Sequence, residues 1–301
     1  MEEENKKKNK PKIQERFRTI VQAIAFAFTN GYVNGWAKGK IYTGNVKKFC
    51  IPGLNCYSCP GAIAACPIGA LQAVLDSGTY HYSLYVLGFI GMVGMFFGRF
   101  ICAWFCPFGL IQDLLHKIPL FHKKKSLPGH RYLKYLKYVI LVVFVILLPM
   151  TILSSGTGKP WFCEYICPSG TLVGGIPLMI ANESLRAQIG WRFGLKLVIL
   201  GLIIVGAIKF YRPFCKYLCP LGALYSLANP FSLYRLKIDK DKCVGCGACS
   251  KVCKMDVDVM NHPNSMECIR CGKCKATCPK GAITSTFEDL ERRITKEKKE
   301  A

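Results

Sequence analysis

The cysteines come in runs, and two runs near the C-terminus have ligand spacing: Cys243-x2-Cys246-x2-Cys249-x3-Cys253, then Cys268-x2-Cys271-x2-Cys274-x3-Cys278-Pro279. Thiolates are soft ligands. Three at this spacing wrap one corner of an iron–sulfur cube, and the fourth crosses to a neighbouring cube. The pattern predicts two [4Fe–4S] clusters, one on Cys243, Cys246, Cys249 and Cys278, the other on Cys268, Cys271, Cys274 and Cys253. Gly245, Gly247 and Gly272 allow the tight turns a bulky inorganic core requires. Zinc also takes four sulfurs, but commonly from two separated CxxC pairs, so it is the weaker reading.

A second cysteine system lies upstream as a repeated hexapeptide. Its copies begin at Cys66, Cys106, Cys167 and Cys219, each followed by Pro, a variable residue and Gly; Cys278-Pro279-Lys280-Gly281 is a further version. Cys102, Cys163 and Cys215 stand four residues before the last three copies. On a continuous helix that spacing puts both sulfurs on one face. The first copy is preceded by Cys50 and by Cys56-Tyr57-Ser58-Cys59-Pro60. Cysteines that merely fill a core need no following Pro and Gly. Cys102, Cys106, Cys215 and Cys219 supply enough thiolates for one further [4Fe–4S] cluster. Cys50, Cys56, Cys59, Cys66, Cys163 and Cys167 supply enough for another.

The elements that must hold these residues are apolar. Hydrophobic residues make up 51% of the 301, mean hydropathy is +0.24, and the net charge is +23 with pI near 9.4. Four runs approach the length needed to cross a bilayer, about 20 helical residues: Thr19 to Ala37, Tyr82 to Gly98, Tyr138 to Gly158, and Phe193 to Ile208 with Lys196 near one end. Thr171 to Ala181 is apolar but too short to cross, which suits an interfacial or re-entrant segment. Lys and Arg concentrate before the first run and between the second and third. The positive-inside rule then places both termini in the cytoplasm of a prokaryotic inner (plasma) membrane protein and accounts for the charge without nucleic acid. In that topology the clusters of the repeat sit one near each membrane face.

The expected architecture is mostly α: a basic tail at 1–18, disordered over Met1 to Lys12, a four-transmembrane-helix bundle at 19–231, an α+β two-cluster ferredoxin domain at 238–285, and a charged tail at 286–301. No short apolar run ends at a small-residue cleavage site, so no signal peptide is expected. None of His81, His116, His122, His130 and His262 is mid-span, which disfavours haem. No G-x-G-x-x-G follows a strand and no Walker loop occurs, so nicotinamide and ATP have no seat. Ser155-Gly156-Thr157 is faintly similar to a flavin–threonine attachment site and reads as a loop. Glu164 and Asp113 read as solvated helix ends in preference to proton relays, and Lys123 to Lys125 as a topology signal.

The C-terminal spacing resembles the bacterial two-cluster ferredoxin over about 46 residues, with Lys254 where that family usually has Pro. Roughly residues 19 to 285 resemble the membrane polyferredoxin family that includes the NapH-type quinol dehydrogenase subunit, NosR-like proteins and CcoG-type proteins. The resemblance rests on the apolar runs, the pairs Cys102/Cys106 and Cys215/Cys219, and the ferredoxin repeat. It implies electron transfer between the quinone pool and a redox partner protein. The Cys56/Cys59 and Cys163/Cys167 groups go beyond the NapH pattern. The competing functions are metal handling or metal reduction of the CcoG kind, and redox sensing. Catalytic acids, bases and nucleophiles are not evident.

Overall fold

Helices start where the repeat says Cys-Pro. In the computed structural model, which describes residues 2–77, 83–120, 122–151, 159–187 and 189–291, α1 (Glu2–Thr29) is followed by α2 (Pro67–Ser77), α3 (Ser83–Phe97), α4 (Phe100–Trp104) and α5 (Pro107–Lys117). Then come α6 (His130–Met150), α7 (Gly170–Ala181), α8 (Trp191–Lys209), α9 (Pro213–Tyr217) and α10 (Pro220–Ala228). Pro67, Pro107 and Pro220 open α2, α5 and α10. Proline suits that position because its fixed φ is helical and its missing N–H would have had no partner. The cysteines before Pro107 and Pro220 are extended, with ψ of 116° and 112°.

The second cysteine of each pair therefore does not share a helix with the first. Cys102 lies in α4 and Cys106 caps α5; Cys215 lies in α9 and Cys219 caps α10. The following proline excludes the helical conformation at the cysteine, so each pair straddles a helix break. Both sulfurs are brought together by that corner and not by helical periodicity.

Among the described residues two helices, His130–Met150 and Trp191–Lys209, are long and apolar enough to cross a membrane. The expected bundle of four spans is not what forms. The run Thr19 to Ala37 is divided: α1 ends at Thr29, Asn30 bonds back to Phe26 O, and a separate short helix occupies Val33–Lys38. In α1 the apolar stretch continues a helix that begins at Glu2, where a disordered tail was expected, and Arg18 and Gln22 are buried. The run Tyr82 to Gly98 becomes a helix of 15 residues, stopped where Gly98 turns left-handed at φ 55°. At about 1.5 Å per residue it falls short of a hydrocarbon core of about 30 Å. The sidedness derived from four crossings loses its basis with them. His81, Ser155 to Thr157 and most of the closing charged tail lie outside the described residues.

The C-terminal part adds α11 (Ala248–Val252), α12 (Lys273–Thr277) and a two-stranded antiparallel sheet, β1 (Leu236–Ile238) on β2 (Ile283–Ser285), with Leu236 opposite Ser285. One continuous core joins this part to the rest, running from Cys50 and Cys66 through Cys102, Cys106 and Cys219 to Cys268, Cys274 and Ile283. The N-terminal helix fastens the junction. Glu15 accepts from Lys254 Nζ at 2.8 Å and Lys273 Nζ at 2.9 Å, while Lys254 lies over the Tyr211 ring. Lys254, the departure from the ferredoxin pattern, is thus one half of a latch to α1. Burial alone would raise the Glu15 pKa, but hydrogen bonds and charge from the two lysines outweigh it and hold the carboxyl at about 2, below its ordinary 4.5. The latch is therefore at full strength above pH 4.5 and is lost as pH falls through about 2. Glu15→Gln is expected to remove on the order of 1 to 2 kcal/mol of docking at neutral pH. Faster hydrogen exchange at the α1–α12 contact, converging on wild type in strong acid, checks it.

Candidate iron–sulfur sites

The thiols gather into sets. The first set is Cys56, Cys66, Cys163 and Cys167: they line one cavity of about 810 Å³, and Cys163 feels the charges of the other three. The second is Cys102, Cys106, Cys215 and Cys219, with Cys219 in the field of the others. The third is Cys253, Cys268, Cys271 and Cys274, around a cavity that α1 covers with Gln14, Glu15 and Arg18. The fourth is Cys243, Cys246, Cys249 and Cys278, around another cavity, with Cys246 exposed. Two cysteines stand aside. Cys59 is fully buried with its thiol donating to Asn30 Oδ1 at 3.4 Å. Cys50 lines the first cavity's wall, its backbone N–H donating to Tyr85 Oη at 3.3 Å.

In the Cys-Pro-x-Gly turn, sulfur takes the place a Ser or Thr oxygen takes at an ordinary helix cap. The Gly222 N–H donates to Cys219 Sγ at 3.3 Å and the Gly170 N–H to Cys167 Sγ at 3.4 Å. At Gly109 the glycine is required by close approach, since a Cβ there would stand 2.9 Å from Cys102 O. Amide donors at a helix N-terminus favour the thiolate.

The two halves of the repeat grip each other. Arg99, three residues before Cys102, donates to Cys215 O at 3.0 Å; Arg212, three residues before Cys215, donates to Cys102 O at 2.6 Å. Both are fully buried. Gln72 and Gln112 each stand six residues after a Cys-Pro cysteine. Gln72 Nε2 donates to Cys163 Sγ at 3.3 Å and Gln112 Nε2 to Cys215 Sγ at 3.1 Å. Hydrogen bonds to sulfur tune cluster potential, so both glutamines act on the sulfur of the opposite half.

The donor set and its surroundings fit iron–sulfur clusters. Arg99, Arg212, Arg270 and Lys216 are buried against or beside the second and third sets. Buried cations need negative partners. Asp113 serves Arg212, and Glu267 serves Arg99. Arg270 bonds only carbonyls, Phe97 O and Asn229 O, and its Nε has no partner. Arg99 Nε and both amide atoms of Asn55 are likewise buried and unpartnered. A core ligated by four thiolates carries net negative charge and sulfide acceptors, which answer such donors. Among the described residues no three His, Cys, Asp or Glu side chains close around a single ion.

The chain matches the 4Fe-4S binding domain family over residues 81–128, 136–176 and 194–240, and the 4Fe-4S dicluster domain family over residues 235–279. It is 32% identical over 189 residues to the uncharacterised protein MJ0749 of Methanocaldococcus jannaschii, covering 62% of this chain and 64% of that one. It is 29% identical over 167 residues to the methylamine utilization ferredoxin-type protein MauN of Paracoccus denitrificans, 54% of this chain and 52% of MauN. With the ferredoxin-type protein NapH of Haemophilus influenzae it shares 25% over 170 residues, 55% of this chain and 50% of NapH. The chain is a NapH-like polyferredoxin. It thus spans less than two thirds of each of these three relatives. No solved structure matches it.

The acidic residues beside the second thiol set are paired with buried cations. Burial pushes the thiols up, Cys66, Cys106 and Cys215 to about 11 and Cys167 and Cys268 to about 12. Metal binding must therefore displace protons. Asp113 is no solvated helix end: it is buried, and although burial would raise its pKa, Arg212 and Arg18 hold it below the usual range. Glu164 pairs with Arg192 at 2.6 Å near the surface. The sequence shows the parallel between Arg99-Phe100-Ile101-Cys102 and Arg212-Pro213-Phe214-Cys215, but not that both arginines are buried and bond across the halves, nor that Gln72 and Gln112 reach a sulfur.

Proposed function

We propose that this polyferredoxin is a membrane-bound relay with four [4Fe–4S] clusters, one per thiol set, passing electrons between a quinone or quinol and a redox partner protein. The observation that carries the reading is the succession of the sets through one core. The fourth and third interleave, since Cys253 closes the run begun at Cys243 and Cys278 the run begun at Cys268. Trp104, between Cys102 and Cys106, donates to Arg270 O between Cys268 and Cys271 at 3.3 Å. Lys216, beside Cys215, donates to Lys254 O beside Cys253 at 3.0 Å. The second set shares the core with Cys66, Cys163 and Cys167 of the first.

The two ends of this succession differ in a way that suits the two reactants. At the fourth set Cys246 and Val244 are exposed, open to a soluble partner. At the first, the cavity beside the thiols has apolar walls from Val74, Leu178, Met179 and Phe193, with Tyr57 and Lys196 among its polar groups. A ring bearing two carbonyls and an isoprenoid tail meets both requirements. Val139, Val142, Leu147, Val198, Leu202 and Val205 expose apolar surface on the two span-length helices, which supports lipid contact.

Anaerobically purified protein in liposomes is expected to carry about sixteen irons per chain and to show cluster signals in electron paramagnetic resonance on addition of menaquinol. Full iron with signals that quinol leaves untouched would refute the quinone half of the proposal.

A further inference from the structure

The first and second thiol sets are separated by a short piece of chain that belongs to neither. Residues 49–51 lie beside Cys66, since the Ala65 N–H donates to Phe49 O at 2.9 Å and the Ile51 N–H to Ala65 O at 3.1 Å. The chain then crosses to the other set. A Cβ on Gly53 would stand 2.9 Å from Pro107 Cδ and 3.1 Å from Cys106 Cα, so the backbone lies flat on the Cys106–Pro107 corner. Leu54 and Asn55 are almost wholly buried, 2% and 1% exposed. Leu54 and Asn55 also line the first set's cavity together with Cys66. The segment thus touches the second set's corner through Gly53 and the first set's cavity through Leu54 and Asn55.

Tyr225 holds this piece in place. It follows Cys219 on α10, is fully buried, and donates from Oη to Pro52 O at 3.0 Å.

We propose that Pro52–Asn55, clamped by Tyr225, is the bridge across which an electron passes between the first and second clusters. One cluster is oxidised and the other reduced by a single electron, and no bond forms or breaks. Tunnelling is faster through a few covalent links than across a packing gap, and between these sets the backbone from Gly53 to Asn55 supplies those links. This inference rests on the reading that both sets carry clusters, which the iron count tests separately.

The test uses full-length, anaerobically loaded protein and freeze-quenched paramagnetic resonance after mixing with less reductant than clusters. Tyr225→Phe, which removes only the hydroxyl, is expected to keep wild-type iron and slow electron redistribution between the first and second clusters severalfold. Gly53→Ala, whose methyl must lift the segment from the Cys106–Pro107 corner, is expected to slow it further. Tyr138→Phe is the control: it removes a hydroxyl bonded to Ser226 on the same α10, away from the bridge. Unchanged redistribution in Tyr225→Phe at full iron overturns the proposal. So does equal slowing in Tyr138→Phe, because the effect would then belong to a loosened helix. If Gly53→Ala sheds iron, the two tyrosine variants still decide.

Discussion

Cys215→Ser is expected to strip the second cluster, removing about four irons per chain and cutting communication between the first cluster and the third. Cys215 is buried, its sulfur accepts from Gln112, and its carbonyl accepts from Arg99. A serine oxygen is a harder and far less acidic ligand than a thiol, and burial leaves no water to replace it. The remaining three thiols would face Arg99 and Arg212 with no anionic cluster between them. The third and fourth clusters should still reduce with dithionite. Cys59→Ser supplies the contrast: its thiol is turned to Asn30, so all the iron should stay. Iron analysis of both variants decides. Full iron in Cys215→Ser, or a four-iron loss in Cys59→Ser, would overturn the division of the thiols into these sets.

The parts of this molecule that could be read before folding are those in which ligand and neighbour are close in the chain. Cys243 to Cys278 carries its grouping in its spacing, and the Cys-Pro-x-Gly repeat marks helix starts because proline acts on the very next residue. Span number was not legible in the same way. Hydropathy reports that Thr19 to Thr29 and Ser83 to Phe97 are apolar, but protein contacts take up part of that surface: α1 runs against α4, α5 and α12, and α3 packs on α2 and α10. An apolar run reads alike whether lipid or protein is to cover it. Charge misled for a related reason. Lys137, counted with the loop residues that set topology, is fully buried and bonds Glu267 Oε1 at 2.6 Å. Arg99, Arg212 and Arg270 are also internal. Part of the net charge of +23 is therefore spent inside the protein, next to thiol sets, and says little about which side of a membrane a loop occupies.

Those internal charges make Asp113→Ala the most damaging change expected outside the cysteines. The carboxylate accepts from Arg212 Nε at 2.8 Å, from Arg212 through a second nitrogen, and from Arg18 at 2.8 Å. Arg212 is fully buried and sits at φ 49° in the left-handed region, a conformation that costs on the order of 1 to 3 kcal/mol and persists only where surroundings impose it. Removing Asp113 releases that constraint and leaves two buried guanidiniums unpaired, a loss of about 3 to 5 kcal/mol by analogy with other broken buried pairs. The consequences spread along the bonds. Arg212 also donates to Cys102 O, so the corner carrying the second set loosens; Arg18 belongs to α1, so the helix covering the third set loses an anchor. Asp113→Asn keeps the shape and can still accept from one guanidinium, so it should fall between alanine and wild type. Thermal unfolding of the loaded protein, followed by the visible absorbance of its clusters, orders the three. Had Asp113 been a proton relay, the asparagine variant would match wild type in thermal stability and lose only quinol-driven reduction; coincident melting curves would therefore reverse the assignment.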